Sequence, residues 1–172
     1  MGRRPTMGRA SPCETVDDRE DWMTRGDHVV LVLDDDPSIL SGLERLLTAH
    51  GYSVRLHSEP DDFFHVGMPE VPACLLLDNQ LGDGMTGVQV HAELQRRGWH
   101  IPTVFVTAHW NVQTVVNAMR DGADGFLTKP YNPTDLLDAV AQALQRAFAL
   151  QRAELQAATA RIRAASLTLR ER

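Results

Sequence analysis

Val29-Val30-Leu31-Val32-Leu33-Asp34-Asp35-Asp36-Pro37 is the stretch on which the fold turns. Five consecutive apolar residues, three of them valine, are too few for a helix and read as a strand buried on both faces. Asp36 stands where a side-chain oxygen caps a following helix, and Pro37 suits the first helical position, where an N–H has no partner anyway. Ile39, Leu40, Leu43, Leu46 and Leu47 then share one helical face, and Gly51 supplies the stop. One strand, a polar crest and one helix are thus legible within about twenty residues.

The same alternation continues downstream. Tyr52 to His57 reads as a short strand, and Glu59-Pro60-Asp61-Asp62 opens a helix through Phe63, Phe64 and Val66. Cys74 to Leu77 is a third strand, Val88 to Arg97 a helix, and Pro102 to Val106 a fourth strand. Val112 to Arg120 is a helix ended by Gly122, Gly125 to Thr128 a fifth strand, and a last helix starts near Pro133-Thr134. Five strand–helix alternations predict an α/β fold with an open, doubly wound parallel sheet and helices on both faces.

Charge divides the chain unevenly. Its formal net charge is −6. Residues 1–26 balance five Arg against five acids, 27–145 carry −10, and 146–172 carry +4. The acidic middle speaks against direct DNA binding by the globule, since phosphate contacts need clustered cations. Residues 1–26, polar and without apolar period, read as a disordered leader. No run approaches the ~18 apolar residues of a membrane span, and the start lacks a secretory apolar stretch. Cys13 and Cys74 have neither disulfide-framework nor metal-site spacing, so a reducing, cytoplasmic setting is expected.

In open parallel sheets, ligands sit beyond the carboxyl ends of the strands where strand order reverses. The residues following those ends are Asp34, Asp35 and Asp36, then Asp78, then Thr107, then Lys129, the only lysine of the chain. Crowded carboxylates repel unless a hard cation joins them, and Mg²⁺ favours such oxygen donors. Lys129 and Thr107 would offer a charge and a hydrogen bond to phosphoryl oxygens. A carboxylate is also a competent nucleophile for phosphoryl transfer, and Asp78 stands alone at the end of the central strand.

Leu33-Asp34-Asp35-Asp36-Pro37, Leu77-Asp78, Val106-Thr107-Ala108 and Leu127-Thr128-Lys129-Pro130 resemble, in order and spacing, the four signatures of two-component response regulator receivers. The resemblance covers about 28–147 and implies a flavodoxin-like strand order 2-1-3-4-5. It implies Asp34 and Asp35 as the acid pair for Mg²⁺, Asp78 as phosphoacceptor and ligand, and the backbone carbonyl of Gln80 as a third protein ligand. Thr107 would move toward the phosphoryl group, Lys129 would pair with it, and Phe126 takes the place of the switch aromatic. Lys129-Pro130 would be a cis bond. A sensor histidine kinase is the implied donor, and a homodimer through the fourth helix, fifth strand and fifth helix an implied consequence. One departure stands out: Leu81-Gly82-Asp83-Gly84-Met85-Thr86-Gly87 places Gly87 nine residues after Asp78, one more than usual. Gln80 and His109 occupy positions whose side chains influence attack of water on the phosphoryl group. Trp110 reads as a packing residue, with a partner contact as the alternative.

The last helix runs on past the receiver. Leu137, Ala141, Leu144, Phe148, Gln151, Leu155, Ala158, Ile162, Ala165 and Leu169 alternate steps of four and three, a heptad seam with Gln151 its polar member. Over 137–148 this face is expected to lie on its own domain. Over 148–172 the helical linker is expected to form a parallel dimeric coiled coil. Ser166 to Arg172 resembles the entry to a LuxR-like helix-turn-helix output domain, or is simply a charged helix end; the chain stops before a recognition helix. Two rival readings of the site are a haloacid-dehalogenase-like phosphatase with Asp34 as nucleophile and an unphosphorylated pseudo-receiver scaffold. The first leaves Asp78 idle and needs an acid pair after the lysine, where 131–172 offer only separated acids.

Overall fold

The computed structural model describes residues 28–108 and 111–168. Strands β1 (Val29–Leu33), β2 (Val54–His57), β3 (Ala73–Leu77), β4 (Thr103–Thr107) and β5 (Gly125–Thr128) alternate with five helices. These are α1 (Pro37–Ala49), α2 (Pro60–Val66), α3 (Gly87–Arg96), α4 (Val112–Arg120) and α5 (Pro133–Thr168). All four strand pairings are parallel, in the order β2-β1-β3-β4-β5. The expected doubly wound architecture and its strand order are therefore present.

Alternation of side chains along each strand splits the core in two. Val29, Leu31, Leu33, Leu75 and Leu77 pack with Phe63 of α2, Val90 and Leu94 of α3 and Ala118 of α4. Val30, Val32, Cys74 and Leu76 pack with Leu40, Leu43 and Leu47 of α1 and with α5. Both faces of β1, β3 and β4 are covered, so these strands can be apolar throughout. Cys74 is a free thiol within this core, and burial pushes its pKa far above the ordinary range.

Element ends follow their caps. Asp36 caps α1, its Oδ1 accepting from Ser38 N at 2.8 Å, with Pro37 next in line. Tyr52 is not part of β2: its N–H closes α1 by donating to the Leu47 carbonyl, and the strand starts two residues later. Thr86 caps α3 in a reciprocal box with Gln89, moving the helix start one residue ahead of the expected Val88.

The face that α5 lays on the sheet differs from the expected one. Leu136, Val140, Ala143, Leu144 and Ala147 are the buried residues, while Leu137 and Ala141 are only half-buried. The helix continues unbroken from Pro133 to Thr168, and its buried residues end at Ala147. No helix among the described residues is long and apolar enough to cross a membrane. The expected leader over 1–26 and the residues His109, Trp110 and Leu169 to Arg172 lie outside the described residues.

His91, on the inner face of α3, is 2% exposed, and its ring packs on Phe105 of β4 at 5.7 Å between centroids. Burial lowers its pKa, with Asp121 and Asp124 beyond the end of α4 pulling the other way. The unfolded chain thus binds a proton at His91 that the folded chain refuses. Stability attributable to this residue is complete above about pH 6.5 and falls as the pH drops below it, by at most about 1.4 kcal/mol per pH unit. His91→Leu is expected to flatten urea-unfolding stability between pH 6.5 and 5; an unchanged slope would exclude His91 as its source.

Candidate metal centre

Strand order reverses between β1 and β3, and the register Leu33↔Leu77 sets the residues after both strands side by side. These are Asp34 and Asp78, 3% and 8% exposed respectively, with the exposed Asp35 between them and solvent. One ligand atom each of Asp34, Asp35 and Asp78 falls within 4.8 Å of the others. From β5, Lys129 reaches across the strand ends. Its Nζ donates to Asp34 Oδ2 at 2.6 Å and to Asp78 Oδ2 at 2.8 Å. The backbone N–H of the lysine donates to the Thr107 carbonyl, and its bond to Pro130 is cis, as expected.

The electrostatics follow from this packing. Burial raises the Asp34 carboxyl above its ordinary range, against the opposing pull of hydrogen bonds from Lys129 and the Asp36 N–H. Burial works against the Lys129 ammonium, but its bonds to Asp34 and Asp78 more than offset this and raise its pKa. Lys129 is thus the internal counter-ion of a carboxylate pair that would otherwise repel. Three carboxylates with room for water beside the exposed Asp35 are an all-oxygen donor set, which fits a hard divalent cation such as Mg²⁺.

Thr107 is buried at the carboxyl end of β4. Phe126 is half-buried on β5 and stacks on Phe105 at 6.4 Å, so Phe126, Phe105 and His91 form a row leading away from the site. The Gln80 N–H donates to Asp78 Oδ1 at 3.1 Å, which orients the carboxylate. A cleft of about 650 Å³ opens beside Asp35, lined by Glu59, Asp61 and the loop from Leu81 to Met85.

The irregular loop after Asp78 keeps both ends fixed. The Gly87 N–H donates to the Asn79 carbonyl at 3.0 Å, and the Val88 N–H donates to Asn79 Oδ1 at 3.2 Å. Leu81, 5% exposed, anchors the span between. Gly87, nine residues after Asp78, lies against the Asp78 carbonyl. Sequence reasoning passed over Asn79; the one available signal was the taste of Asn for bonding nearby backbone N–H groups at helix starts.

The response regulator receiver domain model matches residues 30–141. Nodulation protein W of Bradyrhizobium diazoefficiens is 36% identical over 135 residues, covering 74% of this chain and 59% of the relative. Transcriptional regulatory protein FixJ of Azorhizobium caulinodans is 33% identical over 143 residues, covering 83% and 67%. The solved structure of response regulator StyR superposes with a TM-score of 0.73 at 35% identity, covering 77% of this chain and 67% of that one. The chain spans between about half and two thirds of the length of the curated relatives it matches. Receivers are signalling domains rather than enzymes, which sets the phosphatase reading aside. With the strand order, the acidic crest and the bridging lysine all in place, this chain belongs to the response regulator receiver family of two-component systems.

Proposed function

We propose that Asp78 accepts a phosphoryl group from a sensor histidine kinase, with Mg²⁺ held by Asp34, Asp35, Asp78 and the Gln80 carbonyl. The observation that carries this reading is the position of Lys129, whose ammonium touches Asp34 and Asp78 at once. One oxygen of the Asp78 carboxylate attacks phosphorus, the phosphorus–nitrogen bond of the donor phosphohistidine breaks, and the imidazole, already protonated on its other nitrogen, leaves as the neutral ring. The bound cation supplies positive charge to the phosphoryl oxygens and to the crowded acids. Lys129 follows the charge, giving up its bond to the attacked carboxylate oxygen and pairing with a phosphoryl oxygen. The Gln80 N–H holds the Asp78 carboxylate in place through Oδ1.

In this reading Thr107 shifts toward the phosphoryl group and Phe126 turns as it does. The outlet is the surface of α4, β5 and α5, where Val112, Val116 and Met119 are 70%, 39% and 47% exposed. Self-association there would pass the signal to a transcriptional output, the business of the regulators to which this chain is related. We place the receiver at 27–147, with 1–26 a leader and 148–172 a helical linker, working in the cytoplasm.

The test is incubation with acetyl phosphate and Mg²⁺ followed by intact-mass measurement. One phosphoryl adduct is expected in the wild-type chain, none with EDTA, and none in Asp78→Asn. A wild-type chain that takes no phosphoryl group would instead be a scaffold, and an adduct surviving in Asp78→Asn would move the acceptor elsewhere.

A further inference from the structure

Beyond Ala147 the α5 helix carries an apolar row that its own domain leaves uncovered. Leu155 and Ile162 are 64% and 70% exposed; Ala158 lies between them along the helix and Ala165 three residues beyond Ile162, both also exposed. At 100° per residue the four form a stripe roughly 80° wide, and Gln151 continues it toward the receiver. Where the stripe meets the receiver it runs into a cleft of about 220 Å³, lined by Met68, Trp99, Leu150, Gln151 and Glu154 among others. Met68 and Leu150 are 41% and 42% exposed there.

We propose that this row and cleft receive the same helix of a second copy of the chain, running antiparallel. Side-chain volume is the first argument. Along the uncovered stripe Leu155 and Ile162 stand seven residues apart, with Gln151, Ala158 and Ala165 at the alternate positions. A parallel pair brings like positions together, so layers of two large side chains alternate with layers of two alanines that leave a gap. An antiparallel pair sets Leu155 against the second copy's Ala158 and Ile162 against its Gln151, while Phe148, half-buried beside His28, stays with its own domain. No layer from Gln151 to Ile162 then consists of alanines alone.

Charge is the second argument. Glu154 and Arg161 flank the stripe on the same side, seven residues apart, and neither has an ion pair among the described residues. In the antiparallel register each Glu154 faces the other copy's Arg161, giving two symmetric pairs. In a parallel pair Glu154 faces Thr159, and the arginines at 152, 161 and 163 align with their own copies. The cleft supplies the third argument, since the same register brings the second copy's Ile162 beside Gln151 at the cleft mouth. The volumes thus reverse the parallel pairing expected from the heptad alone. This pairing is independent of phosphorylation at Asp78.

The test uses the full chain, with Cys13→Ser as background. Sedimentation equilibrium is expected to show a concentration-dependent dimer. Arg161→Glu should weaken it roughly tenfold, turning two weak attractions into repulsions, and Glu154→Arg combined with Arg161→Glu should restore it. Under mild oxidation Ile162→Cys alone should stay uncrosslinked, while a mixture of Ile162→Cys and Gln151→Cys chains should yield the mixed dimer. A monomer at every concentration up to about 1 mM overturns the proposal. So does a disulfide dimer of Ile162→Cys alone, which marks the parallel register, or a dimer indifferent to the charge reversals. Glu154, Arg161 and Ile162 are exposed and Gln151 is half-buried at the cleft mouth, so thermal melting of the receiver should be unchanged by the first three and serves as the folding control for all four substitutions.

Discussion

Lys129→Met is expected to cost the metal-free chain about 3 kcal/mol of stability, an effect larger than loss of any exposed charge should produce. The side chains of Lys129, Asp34 and Asp78 are 15%, 4% and 10% exposed, so removing the ammonium leaves two carboxylates facing each other away from water. Methionine keeps the length and the apolar stem, which separates lost charge from lost packing. The pH dependence carries the sign. With the lysine gone, the Asp34 carboxyl, already raised by burial, loses the hydrogen bond that opposes that shift and is pushed higher still. The unfolded chain, with ordinary carboxylates, holds fewer protons there, and the variant's deficit shrinks as the pH falls. Urea unfolding in EDTA should therefore show a larger gap between variant and wild type at pH 8 than at pH 5. Mg²⁺ should narrow the gap at pH 8 by neutralising the same carboxylates. An equal gap at both pH values, with no response to Mg²⁺, would mean that Lys129 acts only through packing.

Much of this site was legible from sequence because an open parallel sheet turns linear order into proximity. Asp34, Asp78, Thr107 and Lys129 each follow or end a strand, and parallel register alone brings their backbones together. The contact of Lys129 with both acids needed no more than that, given a side chain long enough to reach. Two things were not legible. The sheet-facing row of α5 begins at Leu136, one residue before the row expected from Leu137. A strict heptad from Leu137 to Leu169 keeps one face throughout, whereas a straight helix drifts about 20° per heptad, so the two ends of a 36-residue helix need not share a face. The other is the clamp at the end of the loop, in which the carbonyl and side-chain oxygens of Asn79 accept from the backbone N–H groups eight and nine residues on. Such contacts leave little trace in the sequence beyond the preference of Asn for bonding nearby backbone N–H groups.

That clamp makes Gly87→Ala the most damaging small substitution to be expected in the chain. Gly87 is the first residue of α3, where alanine would ordinarily help by as much as about 1 kcal/mol. Here a Cβ would stand 2.3 Å from the Asp78 carbonyl oxygen and 2.8 Å from the Asn79 Cα. Both obstacles are backbone, and no rotamer change can move them. Either α3 lifts from the strand end, breaking the bonds of Asn79 to Gly87 and Val88, or the peptide between Asp78 and Asn79 is displaced. The cost belongs at the upper end of overpacking, about 3 kcal/mol. Displacing that peptide also moves the Gln80 N–H that orients Asp78, so acceptance of phosphate from acetyl phosphate should fall even where the variant remains folded. Gly42→Ala is the matched control, since a Cβ in the middle of α1 meets nothing within 4 Å. That change should raise stability by about 0.5–1 kcal/mol and leave the site untouched. Urea unfolding of the two variants beside the wild type decides the matter: if Gly87→Ala is as stable as Gly42→Ala, the loop does not close on the Asp78 carbonyl as the structure has it. Stable and still phosphorylated at the wild-type rate, it would further show that the register of α3 over β3 is not what aims the acceptor.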